Sequence, residues 1–131
     1  MQSKSKRPTV IKIPIYDVDI EVFSDTPEYA VYYKRHGIDI VSPGLRGFAW
    51  DIEDKKDDLR FLICIPLLFN LSTLLTIVHE IDHMAWMILK HVGIHPTYED
   101  NEAHTYLVEF ILENIIKKYY KLTSIGVIPN S

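Results

Sequence analysis

A single cysteine, Cys64, is all the thiol chemistry in this chain of 131 residues. No intrachain disulfide can form, nothing points to an oxidising compartment, and Cys64 is expected to be a small buried hydrophobe in a strand. Basic charge is also sparse. Lysine and arginine number 14 against 18 acidic residues, a formal net charge of -4, and only the opening MQSKSKRP is locally basic. Phosphate backbones need a concentrated basic face, so nucleic acid is not expected as a partner. No apolar run follows the first lysines, which argues against a secretory signal and for a cytoplasmic protein. Internal repeats are absent, and with charged residues at 24% the composition is not that of a disordered polymer.

Apolar residues are plentiful, at 47%. A chain of this length and composition suits one domain with a real core, expected over residues 9–131 after a flexible basic tail at 1–8. The stretch FLICIPLLFNLSTLLTIV, Phe61 to Val78, carries no charge and is about as long as the shortest membrane-spanning helices. Pro66 interrupts it, and Asn70 and Ser72 offer polar caps. A strand followed by a buried helix is therefore expected, with no membrane partner.

Local patterns supply the element order. In TVIKIPIYDVDIEVFSD, Ile11, Ile13 and Ile15 alternate with polar residues, and so do Val18, Ile20 and Val22; the phase breaks at Tyr16 and Asp17, where a bulge or turn is expected. SDTPEYAVYYKRHG reads as a short helix with Pro27 in its first turn and Gly37 as its stop. A brief strand at IDIV and a Pro-Gly turn follow. Phe48–Ile52 and Leu59–Ile65 form a hairpin around a charged turn. From Ser72 the apolar period becomes helical and continues to Val92, where Gly93 supplies the stop. A last long helix begins near Glu99 or Asp100, acidic early and basic late. The class is α+β: a small mixed or antiparallel sheet with one helix, then two long helices.

Inside the most apolar helix stands HEIDH, His79 to His83. Such side chains are costly to bury without partners. Positions four apart share a helix face, so His79 and His83 can aim ring nitrogens at one cation. Zinc accepts imidazole in tetrahedral geometry, and Glu80 leans toward the position a reacting water would take. The expected cofactor is zinc. A third ligand has to come from elsewhere. The long metzincin form needs a glycine three residues beyond His83 and a histidine three further on, but Trp86 and Leu89 stand there. Glu99, Glu102 and His104 are the candidates; His104 points nearly opposite to Glu102 on a helix.

Beyond His83 comes DNEAHTY, whose glutamate lies nineteen residues past that histidine. It resembles the gluzincins, the thermolysin-like branch of HExxH metallopeptidases, whose third ligand is a glutamate in an NEA-type context on a following helix. Carried over by position, that ligand is Glu102. Gluzincins often place an aspartate four residues later; here Tyr106 stands there, and its hydroxyl is expected to orient His79 or contact substrate. An oxyanion donor would come from Tyr98, His95, Tyr106 or the strand region. More broadly, HEIDHMAWMILKHVGI and NEAHTYLVEFI are similar to small single-domain HExxH proteins of bacteriophages, over roughly Leu75 to Ile116. The resemblance implies a minimal zincin-like domain in which the active-site helix is followed by a glutamate helix, acting in the host cytoplasm or carried in the virion.

The expected function is zinc-dependent hydrolysis of peptide bonds: His79, His83 and Glu102 hold the metal, Glu80 is the general base, and the substrate is a peptide or protein lying extended beside the strand Leu59–Ile65. Alternatives are a non-catalytic zinc-binding phage protein, acting as a host-protein binder or virion component, and a metal-free structural domain.

Overall fold

The computed structural model describes residues 4–40 and 47–122. Four strands, β1 (Thr9–Ile13), β2 (Val18–Phe23), β3 (Phe48–Glu53) and β4 (Leu59–Cys64), make one sheet. Its order is β1-β2-β4-β3. β2 and β4 run parallel, and both outer pairs are antiparallel. The helices are α1 (Pro27–Arg35), α2 (Leu71–His91) and α3 (Glu102–Asn114), the last continuing into a wide turn at Ile115–Tyr119. The domain is α+β with a mixed sheet.

Local chemistry accounts for the boundaries. The phase break after Ile13 is a 3-10 turn, Pro14–Tyr16, closed by Asp17 in the left-handed region at φ 52°. That turn reverses the chain so that Ile13 pairs with Val18 and both apolar sets face one side. Asn70 opens α2 with a reciprocal cap: its side chain accepts the Thr73 N–H at 2.9 Å, and its own N–H donates to Thr73 Oγ1 at 3.0 Å. Gly93, at φ 80°, closes it; its N–H reaches the Lys90 carbonyl, and the Ile94 N–H reaches that of Leu89. This satisfies carbonyls that a helix end otherwise strands.

Both faces of the sheet are covered. On one, Ile11, Ile13, Ile20, Val22, Phe61 and Ile63 pack against Ile77, Ile81, Met84 and Ile88 of α2 and Leu107 and Ile111 of α3. On the other, Phe23, Leu62 and Cys64 meet Tyr29 and Tyr33 of α1. Glu21 is buried on that second side with Arg60, which donates to both carboxylate oxygens, and with Tyr33, whose hydroxyl lies 3.4 Å away. Cys64 is the buried hydrophobe its context suggested, and burial pushes its thiol up to about 12.

Three expectations change or fall outside. Ile38, Asp39 and Ile40 are not strand, and the rest of that segment with its Pro-Gly turn lies outside the described residues, as do Met1 to Ser3 and the tail from Thr123. The last helix begins at Glu102, because Thr97 and Asp100 close a turn on each other and hold Glu99 and Asp100 out of it. The strand Leu59–Ile65 is not the sheet edge. β4 lies between β2 and β3, so the edge facing the HEIDH helix is β3. Alternation identifies a strand but carries no information on its neighbours. Among the described residues, no helix is long and apolar enough to cross a membrane.

Gly47 marks how closely β3 enters the sheet: a Cβ there would meet the Cys64 carbonyl oxygen at 2.3 Å and Glu80 Cγ at 3.4 Å. Gly47→Ala is expected to destabilise the fold by about 1–3 kcal/mol through overpacking, measured by urea denaturation. An unchanged midpoint would show that the approach is not close.

Candidate metal centre

The circumference of α2 is divided by its 3.6-residue turn. Ile77, Ile81, Met84, Ala85, Ile88 and Leu89 are buried against the sheet and α3. Glu80 faces the sheet edge, Asp82 faces α3, and His79 and His83 are exposed between them.

His79 and His83 approach through their Nε2 atoms, 3.1 Å apart, with ring planes at 82°. Two bare ring nitrogens repel at that distance, so the arrangement is favourable only when a proton or a cation lies between them. Two imidazoles on one tetrahedral zinc, each at about 2.0–2.1 Å, stand roughly 3.3 Å apart. The pair is thus close to ligand geometry without rearrangement of α2.

Glu80 is half-buried beside them, and the Ala49 backbone N–H of β3 hydrogen bonds to its carboxylate. Burial pushes its pKa above the usual carboxylate range, while the two imidazoles and the Ala49 N–H pull the other way. One turn earlier, Thr76 lines a cleft of about 540 Å³ walled by Cys64, Ile65, Pro66, Leu67 and Leu68. Thr76 lies one helical turn from Glu80, so the cleft flanks the same side of α2 as that carboxylate.

The other proposed residues sit on α3. Glu102 is its first residue and is exposed; Ala103 packs into the core and brings α3 against α2. Tyr106 is 47% exposed, with its ring 5.9 Å from that of Phe110. Tyr98 is 97% exposed. Among the described residues, no three His, Cys, Asp or Glu side chains are gathered closely enough to hold a cation, so Glu102 is not drawn in beside the two imidazoles. Residues 1–3, 41–46 and 123–131 contain none of these four residue types. A third donor of these types from within the chain must therefore come from the described part.

What the sequence reading missed is the bolt between α2 and α3. His104 Nε2 lies 2.9 Å from Asp82 Oδ1, a close polar contact outside hydrogen-bond alignment, and its ring packs over Trp86 with centroids 4.4 Å apart. Asp82 adjoins His83 and His104 is two residues from Glu102, so this contact fixes the start of α3 to the histidine-bearing turn. The signal in the sequence was a pair of unmatched polar residues, Asp82 and His104, each one helical step from a core position. No family model, curated protein or solved structure matches the chain.

His104→Ala removes both the stack and the polar contact. Expected are a loss of about 1–2 kcal/mol and faster amide exchange confined to the first turn of α3. Exchange rates equal to wild type would separate His104 from the anchoring of α3.

Proposed function

We propose that the chain is a zinc-dependent peptidase with a minimal zincin-like fold of gluzincin type, acting in the cytoplasm of a phage-infected cell. The observation that carries this reading is the 3.1 Å approach of His79 Nε2 to His83 Nε2, with a half-buried glutamate between that pair and the sheet edge. The residues fit zinc as two-thirds of its usual protein donor set in a hydrolytic site. His79 and His83 hold it, and Glu102, on the helix that the Asp82–His104 contact fastens to α2, is the candidate third ligand, its carboxylate standing apart from the pair in this structure.

Zinc bound there supplies Lewis acidity, acidifying water and polarising a peptide carbonyl. The chain's own groups do the rest. An extended substrate adds to the outer edge of β3, where the Ala49 N–H is held by Glu80, and its side chain enters the cleft beside Thr76. Glu80 has a carboxylate biased toward the protonated state by burial, which suits a group that takes a proton from the attacking water and returns it to the leaving amine. Tyr106, on the face of α3 that carries Glu102, is the candidate to contact the substrate or to orient His79.

A second reading is a zinc-binding protein without hydrolytic activity, a binder of a host protein or a virion component. It is favoured by the third donor standing apart from the histidine pair. One substitution distinguishes the two. Glu80→Gln is expected to keep stoichiometric zinc by mass spectrometry while cleavage of a peptide library falls about 100-fold or more. Retained cleavage removes Glu80 from its role; zinc without cleavage in the wild type supports the binding protein.

A further inference from the structure

We propose that the histidine face of α2 also receives a second copy of this chain, with one zinc held between two His79–His83 pairs in a closed, non-hydrolytic dimer. The proposal rests on the zinc-binding part of the reading above and not on peptide hydrolysis.

Leu75, His79, His83 and Trp86 follow one another at helical spacings of four, four and three residues, so they form a single strip along α2. That strip faces solvent. Leu75 is 71% exposed and Trp86 is 44% exposed, and Leu71, one turn before Leu75, is 81% exposed. Large apolar side chains clustered in this way on a folded surface mark a contact site. The polypeptide from Phe61 to Val78 carries no charge, so the Leu75 half of the strip offers an apolar surface without a like charge to oppose contact.

The occupant follows from the donors. A closed tetrahedral zinc site takes four protein ligands. This chain presents two imidazoles already converged, and no third His, Cys, Asp or Glu is gathered with them among the described residues. A two-fold axis through the ion supplies the missing two from the same pair on a second copy, at the same separation. It also makes the apolar contacts self-complementary. Leu75 and Trp86 lie on opposite sides of the histidines, at nearly equal distances along the chain from the midpoint between them. The two-fold axis then sets Leu75 and Trp86 of both copies on either side of the ion, flanking the crossing of the two α2 helices.

Four imidazoles leave no coordination position for water, so the dimer withholds the site and the monomer is the form that accepts a ligand on α3 and a substrate. Protein concentration and zinc supply then govern activity together.

The test is size exclusion with light scattering on the full chain, stripped with chelator and titrated with zinc chloride. Expected is a monomer that becomes a dimer, saturating at one zinc per two chains and reversed by EDTA. Leu75→Glu, at an exposed position, is expected to keep its circular dichroism spectrum while the zinc-induced dimer weakens by about tenfold or more. One zinc per chain on a persistent monomer overturns the dimer and leaves the peptidase reading standing. A dimer that survives EDTA, or one unaffected by Leu75→Glu, overturns the bridged interface. Absence of zinc uptake overturns both.

Discussion

The constraint on which the structure depends is the turn of α2. A helix advances 100° per residue, and this one has to satisfy four neighbours at once: the sheet, α3, the edge strand β3 and open solvent. Ile77, Ile81 and Ile88 meet the first, and Ala85 and Asp82 the second. Glu80 meets the third through the Ala49 N–H. Within HEIDH, His79 and His83 are left for the fourth, and their four-residue spacing makes them converge rather than diverge. Moving HEIDH by one position would put an imidazole into the core or a glutamate into solvent.

The two carboxylates in that pentapeptide show how position sets chemistry. Glu80 loses water to β3 and its pKa rises. Asp82 keeps about half its side chain in solvent and holds His104 at 2.9 Å. One is thereby biased toward its protonated form, and the other lies in contact across the two helices. Glu21 is a third case. It is buried under α1, yet Arg60 and Tyr33 surround it, so its charge is matched and belongs to the packing of that face.

Much of this was legible in the sequence where the signal is local. Asn70 and Gly93 delimit α2 within a residue or two of the span read from periodicity, because caps are built from side chains adjacent in the chain. The break at Asp17 and the hairpin from Phe48 to Cys64 were visible for the same reason. Strand order was not. Placing β4 between β2 and β3 depends on pairing with Ile20 to Phe23, some forty residues away, and no alternation pattern records that. At the site, the convergence of His79 and His83 follows from their spacing, whereas the position of Glu102 depends on how α3 docks. That docking is governed by Ala103 and by the Asp82–His104 contact, which only the packed helices reveal.

The central claim is that the two imidazoles share one cation through Nε2. Nitrogen NMR of the histidine rings, recorded on the full chain before and after one equivalent of zinc, tests it most directly. The expected result is that the Nε2 resonances of His79 and His83 move together to metal-bound positions while their Nδ1 atoms stay protonated. Movement of neither ring, or of only one, would contradict the account.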